Sequence, residues 1–73
     1  MTVTVYSKPN CVQCTATKTY LTNKGIAFNT VDISQDIEAF DLVISKGFKS
    51  APVVNAGEDW WAGFQPDLLD NIA

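Results

Sequence analysis

"TVTVYSKPNCVQCTATK", residues 2–18, decides how this chain folds. Val3 and Val5 alternate with threonines over Thr2–Tyr6, the period of a strand. Ser7-Lys8-Pro9-Asn10 reads as a loop. From Val12 to Lys24 no proline or glycine interrupts the chain, and Gly25 is a suitable stop, so this segment is predicted helical. Cys14, Thr17 and Leu21 share one face of that helix, with Tyr20 beside them.

Working outward, Ile26–Ile33 is rich in β-branched and aromatic residues and reads as a second strand. Ser34 is the expected cap of a second helix, with Asp36 and Glu38 in its first turn, near the positive end of the helix dipole. Ile37, Phe40 and Ile44 share one face of it, with Val43 adjacent, and Lys46-Gly47 closes it. Val53-Val54-Asn55 and Asp59–Ala62 form an expected hairpin turning at Ala56-Gly57. Pro66 suits a first helical position, with Leu68, Leu69 and Ile72 directed inward. The order is βαβαββα, an α/β fold in one domain over residues 1–73. A strand, crossover helix and strand within about 30 residues make a parallel βαβ unit. The two cysteines, Cys11 and Cys14, fall at the carboxyl end of the first strand, where open α/β sheets place their sites.

The composition narrows the function. Hydrophobic residues are 47% of the chain and charged ones 18%, a globular balance. Five lysines face eight acidic residues, and the net charge is −3. No nucleic-acid partner is expected, since such a partner requires a basic footprint. No membrane is expected either, because no apolar run approaches the roughly 18 residues of a span. The first residues lack a basic segment followed by an apolar one, so the expected location is cytoplasmic.

Three readings of Cys-x-x-Cys compete. As a staple it closes a ring of about four residues, worth only about 2 kcal/mol in the loop-entropy model, and cytoplasmic structural disulfides are rare. A structural zinc site asks for four Cys or His ligands, and the chain has two Cys and no His. A zinc or cluster site shared between two chains stays open, but no metal and no cofactor is expected. Reversible dithiol chemistry is the favoured reading, given the βαβ setting.

That chemistry suits a helix start. Residues three apart in a first turn are neighbours on one face, within reach of disulfide geometry. Cys11 at the cap meets unpaired N–H groups and the positive dipole end, which stabilise a thiolate. The N–H groups of Gln13 and Cys14 are the expected donors, and Lys8 adds positive charge. An ordinary thiol with a pKa near 8.5 is about 3% ionised at pH 7, and one near 7 is half ionised, a difference of roughly 2 kcal/mol. Cys11 is therefore the expected nucleophile, and Cys14, one turn inside, the resolving thiol.

"CVQCTATKTYL" at 11–21, "GFKSAPVV" at 47–54 and "WAGFQPD" at 61–67 resemble the thioredoxin superfamily, and within it the NrdH-redoxins. The resemblance covers essentially the whole chain. Where that family reads W-S-G-F, a basic residue and P-D, this chain has Ala62 and Gln65. It implies a thioredoxin/glutaredoxin-like fold with a four-stranded mixed sheet and three helices. It implies a thiol–disulfide oxidoreductase fed by thioredoxin reductase and donating to class Ib ribonucleotide reductase. It also implies that the Ala51-Pro52 bond is cis and lies against the dithiol, with the Ala51 backbone free to pair with an incoming chain.

Trp60 and Trp61 must point to opposite faces of their strand. Trp61 is expected to lie partly exposed near the dithiol, forming an apolar docking patch with Val12, Gln13 and Pro52. The alternative activity is that of a glutathione-dependent glutaredoxin. Against it, Gly63-Phe64-Gln65-Pro66-Asp67 offers no basic group to a tripeptide's carboxylates. A monomer is expected.

Overall fold

Strand β1 (Val3–Ser7) buries Val3, Val5 and Ser7 and leaves Thr4 and Tyr6 half-buried, the alternation expected of a central strand with a helix on one face. A computed structural model of the chain describes residues 2–72. Helix α1 (Val12–Asn23) follows the loop after β1 and turns Cys14, Thr17 and Leu21 to the interior, the face anticipated from their spacing. It ends in a Schellman arrangement at Lys24-Gly25. The Gly25 N–H donates to the Thr22 carbonyl (3.0 Å) and the Ile26 N–H to that of Leu21 (3.0 Å). Gly25 has φ +75°, a left-handed conformation that other residues adopt at a cost.

That helix ending shortens the second strand. Ile26 was expected inside it, but its N–H is committed to α1, and β2 spans only Asn29–Asp32. Ile26 and Phe28 instead pack against the core from the connecting loop. Helix α2 (Ile37–Ser45) is capped by Asp36, whose carboxylate accepts from the Ala39 N–H at 3.1 Å. Ser34, the expected cap, lies too early: its N–H and hydroxyl both donate to Asp32. Those bonds, with a smaller contribution from the Lys18 charge, hold the Asp32 carboxyl below its usual range.

The orientation of α2 also departs from the expectation. Ala39 and Val43, one turn apart, are the buried residues, while Ile37 is 77% exposed and Phe40 and Ile44 are exposed too. Two apolar stripes compete on a helix of this composition, and the one containing small Ala39 is buried. Strands β3 (Val53–Ala56) and β4 (Asp59–Ala62) form the hairpin, turning at Gly57-Glu58. Helix α3 (Pro66–Asp70) has Pro66 in its first turn and buries Leu69; Ile72 packs on the core, whereas Leu68 is exposed.

The sheet order is β2-β1-β3-β4. β1 runs parallel to β2 and antiparallel to β3, with Val5 opposite Thr30 and Val54. β3 and β4 are antiparallel, with Val54 opposite Trp61. The core joins Val3, Val5, Val54, Ala56 and Trp61 of the sheet to Leu21 of α1 and Leu69 of α3. On the other face of the sheet Trp60 stacks on Tyr6 at a centroid distance of 5.8 Å, and the Lys46 ammonium lies 5.1 Å from the Trp60 ring. No helix among the described residues is long and apolar enough to cross a membrane.

Asp70 ties α3 to α1. It accepts from the Tyr20 hydroxyl and pairs with the Lys24 ammonium at 3.1 Å. The Tyr20 hydrogen bond, then Lys24, holds the Asp70 carboxyl below its usual range, and the same hydrogen bond raises the Tyr20 hydroxyl above its own. A carboxyl lowered by folding stabilises above its unfolded pKa of about 4, and that contribution is lost as pH falls through the lower folded value. The phenol stabilises below about pH 10, and its contribution is lost as pH rises through the raised folded value. Asp70→Asn is therefore expected to lower the urea midpoint at neutral pH and to converge with the parent in strong acid. Urea titrations of both proteins across the pH range check this.

Candidate redox site

The loop Lys8-Pro9-Asn10 carries the chain from β1 to α1. Asn10 takes φ +59°, a left-handed turn that asparagine tolerates, and this delivers Cys11 to the helix cap. Cys11 is extended there (φ −111°, ψ 108°), and its sulfur accepts from the Cys14 N–H at 3.2 Å. No acidic residue occupies the first turn of α1, so no side-chain carboxylate there offsets the positive helix end. Of the two expected backbone donors, Cys14 is the one in place.

Cys11 and Cys14 are joined as a disulfide, with Cα atoms 5.2 Å apart. The two sulfurs are not equivalent: Cys14 is 1% exposed, and Cys11 is half-buried. An approaching thiol or disulfide can reach only the Cys11 side. Among the described residues no group of three or more Cys, His, Asp or Glu side chains is arranged to hold a metal ion.

The second wall of the site comes from the start of β3. The Ala51-Pro52 bond is cis, as the resemblance implies, and the Ala51 carbonyl oxygen lies 3.8 Å from Cys11 Sγ. The loop after β4 holds this wall in place. The Gly63 N–H donates to the Pro52 carbonyl at 2.8 Å, and the next N–H, of Phe64, donates to Gln13 Oε1 at 3.0 Å. Gly63 has φ +84°, and a Cβ there would sit 3.3 Å from Gln13 Oε1. One side chain thus joins the dithiol helix to the loop after β4, which in turn holds Pro52. Gln13 was expected to serve the thiolate through its N–H; the structure gives its side chain this bracing task instead.

The apolar docking patch takes a different form from the expected one. Val12 is 85% exposed beside Cys11. Pro52 is fully buried and offers its neighbour's backbone rather than its ring. Trp61 is 8% exposed and belongs to the core, because it is on the face of β4 that α1 and α3 cover. Its indole nitrogen is buried and has no hydrogen-bond partner among the described residues. Lys8 is exposed at the rim of the groove beside Cys11, where the sequence placed it. Lys18, which sequence reasoning passed over, lines the same groove from α1. Its spacing of seven from Cys11 is the available signal, since positions 11, 15 and 18 share a helix face.

A glutaredoxin family model matches residues 3–61. The glutaredoxin-like protein NrdH of Salmonella typhimurium is 39% identical over 99% of this chain and 89% of its own length. The chain belongs to the glutaredoxin family, in its NrdH-redoxin branch. The NrdH protein of Lactococcus lactis subsp. cremoris is 42% identical over 97% of this chain and 99% of its own. The solved NrdH-redoxin of Escherichia coli, described as having a thioredoxin-like activity profile, superposes with a TM-score of 0.97 at 37% identity. That match covers 100% of this chain and 96% of the other. With its paired cysteines at the start of α1, this NrdH-redoxin is a thiol–disulfide oxidoreductase.

Proposed function

We propose that this NrdH-redoxin carries electrons from thioredoxin reductase to class Ib ribonucleotide reductase, with Cys11 as nucleophile and Cys14 as resolving thiol. The observation that carries the assignment is the inequality of the two sulfurs: Cys11 is accessible and accepts the Cys14 N–H, while Cys14 is sealed beneath it. In the reduced protein the Cys11 thiolate attacks one sulfur of the partner disulfide. The partner S–S bond breaks, a mixed disulfide forms, and the second partner sulfur leaves as a thiolate that takes up a proton. Cys14, deprotonated, then attacks Cys11 Sγ and releases the other partner sulfur. Two electrons have passed to the partner, and Cys11–Cys14 is the disulfide again. The reductase reverses this sequence.

The partner strand pairs with the Ala51 backbone, and Val12 supplies apolar contact. Lys8 and the helix start stabilise the Cys11 thiolate, and Gln13 braces the wall around Pro52. Trp61 supports the site from the core rather than meeting partners. The protein acts as a monomer in the cytoplasm and needs no cofactor.

Two points favour thioredoxin reductase over glutathione as donor. The turn Gly63–Asp67 carries no basic side chain, and the Escherichia coli relative has a thioredoxin-like activity profile. The acceptor is the one the NrdH-redoxin resemblance implies. The test is to reduce the oxidised protein with NADPH and thioredoxin reductase, and separately with millimolar glutathione, NADPH and glutathione reductase. Reduction is expected to be at least about tenfold faster with the flavoprotein, corresponding to about 1.4 kcal/mol in the barrier. Equal rates would reject the donor assignment.

A further inference from the structure

We infer that the groove beside Cys11 selects partner disulfides flanked by acidic residues, with Lys18 as the specificity-determining side chain. This deepens the disulfide-reductase reading above and rests on it. The groove is open to solvent, offers about 590 Å³ and is lined by Lys8, Asn10, Cys11, Val12, Thr15 and Lys18, among others. No carboxylate among the described residues lines it. Two of the chain's five lysines are therefore gathered at the nucleophile of a protein whose net charge is −3. Neither makes an ion pair among the described residues; the one such pair there is Lys24–Asp70. The Lys18 charge is felt weakly at Asp32, whose carboxylate is already engaged by the Ser34 N–H and hydroxyl.

The placement suits a chain that crosses the dithiol. Ala51 does not line this groove, so Cys11 borders two surfaces, the Ala51 backbone edge and the lysine groove. A disulfide-bearing segment paired on the first extends its other flank into the second. Acidic side chains on that flank would ordinarily repel an attacking thiolate and a departing one. Lys18, about two turns along α1 from Cys11, and Lys8, at the groove mouth, offset that repulsion. The bond changes are those already given: the partner S–S bond breaks as the Cys11–partner S–S bond forms, and the leaving thiolate takes a proton from solvent. What the lysines change is the rate at which differently charged partners reach that step. Lys8 is exposed and Lys18 half-buried on an open groove; charges so placed act weakly and are screened by salt, so the selection is kinetic and strongest at low ionic strength.

The test uses three peptides, each with one internal disulfide and identical except for Glu, Gln or Lys at the flanking positions. The reduced protein is mixed with each at low salt and at about 0.5 M salt, and the second-order rate of disulfide reduction is measured. The Glu peptide is expected to react about 3- to 10-fold faster than the Lys peptide at low salt, with the ratio approaching one at high salt. Lys18→Gln should collapse the ratio, and Lys18→Arg should retain it. Lys24→Gln, which removes the same charge from the far end of α1, should leave the ratio as it is. Equal rates for the three peptides, or a ratio lost equally with Lys24→Gln, would overturn the inference while leaving the reductase reading intact. Reduction of none of them would overturn both. A Lys18 effect seen only with glutathione disulfide, and not with the peptides, would reassign the groove to a small tripeptide and reject the partner selection.

Discussion

Cys11→Ser is expected to abolish disulfide reduction, and Cys14→Ser to halt it one step later. The two variants remove one sulfur each, but from different positions. Cys11 is half-buried at the cap of α1 and 3.8 Å from the Ala51 carbonyl; Cys14 is closed off at 1% exposure. Without Cys11 no sulfur is reachable, so turnover should fall by several orders of magnitude, to the level of the uncatalysed exchange. Without Cys14 the first attack still occurs, but no thiol is positioned to release the product. The protein should then accumulate as a mixed disulfide through Cys11, visible as a single mass adduct that dithiothreitol removes. An adduct on Cys14 in the Cys11→Ser variant, formed at a comparable rate, would reverse the roles.

The second large effect concerns stability. Trp61→Ala is expected to cost about 3–5 kcal/mol, the usual range for emptying a buried aromatic site. A chain of 73 residues has a total stability of only about 4–11 kcal/mol at typical per-residue values. The variant should therefore unfold at much lower urea or fail to fold. Trp61→Phe should cost markedly less. The buried indole nitrogen has no partner to lose among the described residues, so that substitution removes volume without breaking a hydrogen bond there. Trp60→Ala, on the half-exposed face against Tyr6, should also be milder. A Trp61→Ala urea midpoint equal to that of the parent would show that this side chain is not part of the core.

Trp61 also illustrates what the sequence could and could not convey. Alternation along β4 separates the two indoles onto opposite faces, but it does not say which face the helices cover. That depends on how α1 and α3 pack, and Leu21 and Leu69 settle it by meeting Trp61. Helix α2 poses the same problem. Its Ile37, Phe40, Ile44 stripe is the more hydrophobic, yet Ala39 and Val43 are the residues it buries. Local signals fared better where their physics is local. Gly25 and Lys46-Gly47 end their helices, Pro66 begins one, and Cys-x-x-Cys falls at a helix cap. The cap of α2 moved from Ser34 to Asp36 because both residue types cap well and only one met the right N–H. The bond from Phe64 to Gln13 spans 51 positions, and no periodicity predicts such a contact. A family resemblance could mark both stretches as motifs without saying that they touch.

The most direct test of the dithiol assignment is alkylation of the reduced protein by iodoacetamide as a function of pH, with each cysteine followed by peptide mapping. The capped, accessible position of Cys11 predicts that it is modified first, and that its rate rises at a pH below that of an ordinary thiol. Cys14 should stay protected until the protein unfolds. Faster modification of Cys14, at lower pH than Cys11, would contradict the account.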